Sequence, residues 1–270
     1  MNILEEIAGK TRGRIAEEKS RVSVAKLKER IRNREQNPAI LPTPSFYQAL
    51  KKEGMSYICE VKKASPSKGL IAPDFPYVEI AKEYEAAGAS AISCLTEPFY
   101  FQGCDRYLEE ITAEVGIPVL RKDFTVDEYM IYQAKAFGAS AVLLICAILD
   151  EVQLKDYRQL AESLGLDALV EAHDEREVER ALKAGAKIVG VNNRDLRTFQ
   201  VDMNNSIRLR NLAPEEVVFV SESGIKTSAD INLLYDNRVD AVLIGETLMR
   251  SSDKKAMLET LNGKPFSNTL

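Results

Sequence analysis

Four segments of the chain repeat one another: "YEAAGASAISCL" (84–95), "AKAFGASAVLLI" (134–145), "ALKAGAKIVGV" (181–191) and "YDNRVDAVLIG" (235–245). Each ends a helical pattern, passes a turn that is mostly Gly-marked, and enters a short β-branched apolar run, at a spacing of about 50 residues. Between them lie "SYICEV" (56–61), "IPVLRK" (117–122), "LDALVEA" (166–172) and "EVVFVSE" (216–222). Interleaving the two sets predicts eight strands about 24 residues apart, with helices between them. The stretches 150–165 and 174–185 are clear amphipathic helices with acidic starts and Gly stops. Eight such units describe an α/β chain folded as a (β/α)8 TIM barrel, one domain over 1–270. A doubly wound open sheet would use fewer strands and a G-x-G-x-x-G turn after the first, which is absent.

Residues 1–50 precede the first strand and predict a helical extension. The stretch 4–34 reads as helix, and "PAILPTPSFYQALKKEG" (38–54) as a Pro-marked connection with a short helix. Ile3, Leu4, Ile7, Ile15, Val22, Leu27 and Ile31 need a surface to pack on, so a cap over the barrel is expected. A net charge of -5 argues against a broad nucleic-acid surface. The longest apolar runs are too short to cross a bilayer, and the N-terminus carries no signal-peptide pattern, so a cytoplasmic chain without a membrane partner is expected. The cysteines are Cys59, Cys94, Cys104 and Cys146, none in a C-x-x-C pair, and His173 is the only histidine. No metal site of the usual Cys/His kind is therefore expected, and Cys59, Cys94 and Cys146 read as small buried thiols.

In such barrels the C-terminal strand ends face one shared pocket. The first strand brings Glu60 and Lys62 there, the second Glu97, the third Arg121, Lys122 and Asp123. The fifth brings Glu171 and His173, and the sixth Asn192, Asn193, Arg194 and Asp195. The seventh brings Ser221, Glu222, Ser223 and Gly224, and the eighth Gly245, Glu246 and Thr247. Each has a plainer reading on its own: Glu171 as the start of a solvated loop, Lys122 as a surface lysine, His173 as a helix-entry residue. Arg121 and Lys63 alternate away from their neighbours and face the outer layer. Together, converging acids and bases shift one another's proton affinity, which is how proton-transfer catalysts are built.

"SESGI" and "LIGETLM" each place a Gly at a strand end, followed by a helix-starting residue. Loops after the last two strands of such barrels often hold a phosphate on backbone N–H groups, and a side chain would block that approach. Lys62, on the neighbouring first strand, can supply the matching positive charge.

"ICEVKKASPSKG", "VLRKDF", "LVEAHDE", "GVNNRDL", "VSESGI" and "LIGETLM" together closely resemble the indole-3-glycerol phosphate synthase family, in order from about residue 2 to the end. The resemblance implies closure of the indole ring of 1-(2-carboxyphenylamino)-1-deoxyribulose 5-phosphate with loss of CO2 and water. It also implies a phosphorylated small-molecule substrate, no metal or cofactor, and no partners beyond other tryptophan-pathway enzymes. Lys122 then resembles the general acid toward the substrate carbonyl, and Glu171 the acid/base carboxylate of the dehydration. Lys62 resembles the residue that binds phosphate and assists departure of the hydroxyl. Glu60 and Asn192 resemble groups that orient the anthranilate part and the lysines, and Glu222 a carboxylate of the same pocket. Ser223, Gly224 and Gly245 resemble the phosphate cradle, with Arg194 also binding substrate and Phe124 an apolar wall for the ring. Ser65 belongs to a loop, 65–69, that folds over bound substrate. Glu246 stands where some members carry Ser, so only its backbone N–H would serve the phosphate. Three other readings compete: a phosphoribosylanthranilate isomerase-like barrel using Cys59, a Schiff-base aldolase, and a non-catalytic phosphate-ligand binder.

Overall fold

A computed structural model describes residues 3–40, 42–195 and 198–263. Eight parallel strands close into a barrel: β1 Ser56–Val61, β2 Ala91–Leu95, β3 Val119–Lys122, β4 Ala141–Ile145, β5 Asp167–Ala172, β6 Ile188–Asn192, β7 Val218–Glu222 and β8 Ala241–Ile244. β1 and β8 complete the ring, with Ser56 beside Ala241 and Cys59 beside Ile244. All eight predicted strands are present.

Alternation along each strand sorts side chains into two cores. Ile58, Leu120, Leu143, Leu169, Val220 and Leu243 fill the barrel. Tyr57, Cys59, Ile92, Val170, Phe219 and Val242 face the surrounding helices. That alternation aims the site. Glu60 lies two residues past Ile58, Lys122 two past Leu120, Glu171 two past Leu169, and Glu222 two past Val220. The apolar face that builds the core thus runs out, at the C-terminal rim, into charge.

The N-terminal stretch is two helices where the sequence reading expected one: α1 Ile3–Arg21 and α2 Val24–Gln36. Ser23 breaks them, its side chain accepting the N–H of Lys26 as the N-cap of α2. The break also turns Val22 outward, 39% exposed, although burial was expected for it. The first turns of α1 put Ile3, Leu4 and Ile7 over the C-terminal mouth of the barrel. Further along, Ile15 of α1 with Leu27 and Ile31 of α2 packs on Tyr129 and Met130. A short α3, Phe46–Leu50, closes the opposite end. Phe46 and Leu50 join the barrel interior with Val218 and Ala241. Its N-cap Ser45 and the N–H of Tyr47 are both held by Asp167 at the start of β5. One extension therefore touches both ends of the barrel.

Arg14 ties α1 to the catalytic rim. Its guanidinium donates to Asp123 at 2.8 Å and to the carbonyl of Thr96 at 3.3 Å. Asp123 is fully buried, which disfavours its charge, but Arg14 and Arg121 more than offset this and hold its carboxyl below the usual range. Arg14→Met leaves Arg121 in place, so the expected cost, about 2 kcal/mol, lies below the usual ~3–5 kcal/mol for breaking a buried pair. A carboxyl with a depressed folded pKa stabilises above its unfolded pKa, and that contribution disappears as pH falls through the folded value. The parent's advantage in Tm should accordingly be complete at pH 7, about 5 °C, and shrink below about pH 4. Thermal melts at the two pH values measure it; a Tm difference independent of pH would show that the pair contributes nothing through Asp123 ionisation.

Candidate active site

The barrel mouth opens into a cavity of about 580 Å3, lined by charged residues on one level and by Leu4, Ile7, Phe101 and Phe124 above them. Lys122 Nζ lies 3.3 Å from Glu171 Oε2 and 3.3 Å from Glu222 Oε2. Lys62 Nζ lies 2.7 Å from Glu60 Oε1, and Ser93 donates to the other oxygen of Glu60. The Asn192 side chain helps bring down the proton affinity of the Glu171 carboxyl, while its Oδ1 accepts the N–H of Arg194 at 3.0 Å. The cavity also receives Ser65, Arg194, Ser223, Gly224, Gly245 and Glu246. Every residue to which the family resemblance assigned a role therefore lines one space.

Three carboxylates face two ammonium groups here, and their proton affinities separate. Burial disfavours charge on Lys122, but Glu222, Glu171 and Glu60 outweigh it and raise its pKa, so the lysine stays protonated. Burial raises the Glu171 carboxyl, yet Lys122 and His173 win and bring it down. Glu222 goes the other way: burial and the charges of Glu171 and Glu60 exceed the pull of Lys122, and its pKa rises to about 7. One cavity thus holds a fixed cation, an ionised carboxylate and a carboxyl poised near neutrality.

Two glycines make room for these groups. A methyl on Gly190, in the middle of β6, would overlap Glu222 Oε1, so only Gly lets that side chain lie across the barrel. A methyl on Gly245 would sit 2.5 Å from Glu60 Oε1 and 2.7 Å from Lys62 Nζ. Gly190 escaped the sequence reading, although a Gly inside "IVGVN" is itself a signal of close approach. Phe101 was missed as well. It stands 6.3 Å, centroid to centroid, from Phe124, and the two rings form the apolar wall.

Several strand-end residues are turned elsewhere. The Glu97 carboxylate is buried and accepts the N–H groups of Phe99, Tyr100 and Phe101, so it shapes its own loop and places Phe101. Arg121 faces the helical layer as expected but is buried there, bonding Asp105, Thr96, Gln133 and the carbonyl of Met130. Asn193 joins Ser206 to Ser221 behind the sheet. After β7 no helix begins at Gly224, contrary to expectation. Ser223 and Gly224 take consecutive left-handed conformations, φ 69° and 92°, and the next helix starts only at Ser228. Glu246 does begin a short helix. Its side chain pairs with Arg250 at 3.1 Å and Lys68 at 3.6 Å. Lys68 sits on the hairpin formed by Ala64–Ser65 and Gly69–Leu70, which is the loop expected to cover substrate.

Cys59 packs outside the barrel among the helices, with burial pushing its thiol up, so it is no proton donor for this cavity. Lys187 is 64% exposed and lies just before β6, at the far end from the mouth. Neither residue can serve the isomerase-like or Schiff-base readings.

A sequence model of a protein family described as "Indole-3-glycerol phosphate synthase" matches residues 4–261. The chain is 55% identical to an indole-3-glycerol phosphate synthase of Ruminiclostridium cellulolyticum, over 97% of this chain and 99% of the relative. It is 52% identical to one of Lacticaseibacillus paracasei, over 95% and 97%. Among solved structures it is similar to 3-hexulose-6-phosphate synthase of Salmonella typhimurium, with TM-score 0.64, 13% identity and coverage of 77% and 97%. It is also similar to a chain of the tryptophan synthase a2b2 complex of Pyrococcus furiosus, with TM-score 0.58, 12% identity and coverage of 77% and 97%. At those identities the structural likeness concerns the barrel alone. No helix among the described residues is long and apolar enough to cross a membrane.

Proposed function

The chain belongs to the indole-3-glycerol phosphate synthase family, and from that premise we propose how its own residues carry out the ring closure. The enzyme acts on the phosphorylated carboxyphenylamino sugar, closes the indole ring, and releases CO2 and water. The observation that carries our assignment of roles is Lys122 Nζ held 3.3 Å from two carboxylates with opposed proton affinities.

Lys122 protonates the carbonyl oxygen while the aromatic carbon bearing the carboxylate attacks the carbonyl carbon. A fixed ammonium suits that step because negative charge develops on the oxygen in a buried site. Loss of CO2 returns its bonding pair to the ring and restores aromaticity. In the dehydration Lys62 protonates the leaving hydroxyl, and ionised Glu171 removes the proton from the carbon next to nitrogen. Glu60 holds Lys62 in place at 2.7 Å, and Asn192 orients Glu171. Glu222 holds Lys122 from the other side.

The phosphate rests on Ser223, Gly224, Gly245 and the backbone N–H of Glu246, with Lys62 and Arg194 supplying charge and Ser65 closing from the hairpin. Phe124 and Phe101 form the apolar wall against the aromatic part. The barrel and its extension form one domain, and Leu4 and Ile7 exclude water from the lysine–carbonyl contact. The direct test adds the substrate to purified protein and follows indole absorbance together with evolved CO2. One indole per CO2 is expected, against a background free of Trp; binding without either product would leave a phosphate-ligand binder.

A further inference from the structure

The reaction consumes a proton that the cavity cannot recover from its own groups. This argument rests on the role assigned to Glu171 above. One proton goes to the carbonyl oxygen as the carbon–carbon bond forms. A second goes to the resulting hydroxyl as its carbon–oxygen bond breaks and water departs. A single proton returns, to Glu171, as a carbon–hydrogen pair becomes the new ring double bond. The carboxylate leaves as neutral CO2 and contributes none. Two protons are given and one is recovered, so each turnover draws one from solvent, while the substrate itself fills the mouth.

His173 stands beside that need. It directly follows β5, two residues beyond Glu171, but unlike Glu171 it does not line the cavity. Its side chain is 21% exposed. Nε2 lies 3.8 Å from Glu171 Oε1, and Nδ1 lies 3.5 Å from Glu177 Oε2 on the helix Glu175–Lys183. The other oxygen of Glu171 is the one facing Lys122.

The surroundings fit a moving ring better than a fixed one. Both imidazole nitrogens are buried, and neither has a hydrogen-bond partner. Such orphaned groups are costly and call for a reason. Meanwhile the backbone of His173 is clamped. Its N–H donates to Glu177 at 2.8 Å, and its carbonyl accepts from Asn205 at 3.0 Å. A small swing of the ring brings one nitrogen or the other within hydrogen-bonding reach.

We propose that His173 is a proton-entry relay: after ring closure it passes a proton taken from solvent at Glu177 through Glu171 to the neutral Lys122, whereas the proton Glu171 later takes from carbon and the one Lys62 gives up exchange with solvent once product has left the mouth. The charged groups facing the ring are Glu171 on the preceding strand β5, Glu177 on the helix Glu175–Lys183 and Glu222 from β7. Burial lowers the ring's proton affinity, but these carboxylates prevail and raise it. The ring therefore carries charge to a higher pH than a free imidazole and can load at neutrality.

His173→Asn and His173→Gln test this. Each should lower kcat about ten-fold at pH 7.5 with KM within about two-fold, because Glu171 remains but Lys122 reloads slowly. Added imidazole buffer, at constant pH and ionic strength, should restore kcat in the variants and leave the parent unchanged. A ring that only shapes the helix entry would not respond to buffer. Parental kcat in both folded variants overturns the proposal, and so does a loss that no buffer restores. Should neither variant fold, Glu177→Gln keeps the ring and its backbone acceptor while removing the outer carboxylate. A several-fold, buffer-rescued loss is expected there, and no loss overturns the relay. Lys122→Met in parallel separates the two readings: turnover in that variant would remove the assigned roles, whereas a dead Lys122→Met beside a fully active, buffer-independent His173→Asn removes only the relay.

Discussion

Lys122→Met will lower turnover by about a thousand-fold or more. The variant loses the proton donor of ring closure, worth 10²–10⁴-fold, and the buried cation facing the developing oxyanion. Substrate should still bind, because the proposed phosphate cradle lies after β7 and β8 and the proposed aromatic wall on Phe101 and Phe124. The fold should persist with a changed pH dependence. Lys122 separates Glu171 from Glu222, each 3.3 Å away and each almost wholly buried. Without it both carboxyls acquire folded pKa values above their unfolded ones. The native state then holds protons that the unfolded chain has released, so stability falls as pH rises through that window. The variant's Tm should drop between pH 5 and pH 8 more steeply than the parent's. Stopped-flow indole absorbance and melts at the two pH values check both halves. Turnover within ten-fold of the parent would mean that another group protonates the carbonyl.

Glu171→Gln should split the reaction in two. The amide keeps the shape of the side chain but cannot take a proton from carbon, so dehydration stalls while Lys122 still drives ring closure. In a single turnover one equivalent of CO2 should appear without indole absorbance. In steady state kcat should fall about 10²–10³-fold with KM little changed. If CO2 release stops together with indole formation, Glu171 acts before or during ring closure instead. A raised KM at unchanged kcat would make it a binding residue.

The barrel was legible in the sequence because its signal repeats: strand after strand, an apolar period-two run ends in a polar residue on the same face. Glu60, Lys122, Glu171 and Glu222 could be found that way, since alternation fixes which side of the strand they share. Glu97 shows where the rule stops. It lies two past Leu95, yet its loop turns at once and offers three N–H groups to its carboxylate. A local turn of that kind has no period to detect. Arg14 and Asp123 pair across a long sequence separation, which one sequence does not reveal. The break at Ser23 was readable in principle, since Ser before "VAKL" is an N-cap pattern, but continuous helical spacing on both sides hid it.

The two-ended grip of the extension has a consequence for how the chain is made. Leu4, Ile7, Phe46 and Leu50 are synthesised well before Val218, Ala241 and Leu243, with which they share a core. At ordinary synthesis rates, about 5–20 residues per second, this segment waits on the order of ten seconds for β7 and β8 to exist. During that interval its apolar face has only part of its native surroundings, Ile58, Leu120 and Leu143 among them. β7 and β8 then both close the barrel and complete the cover over α1 and α3. A C-terminal truncation removing β8 would therefore strand the N-terminus as well, and its penalty would be aggregation at the opposite end of the sequence from the lesion.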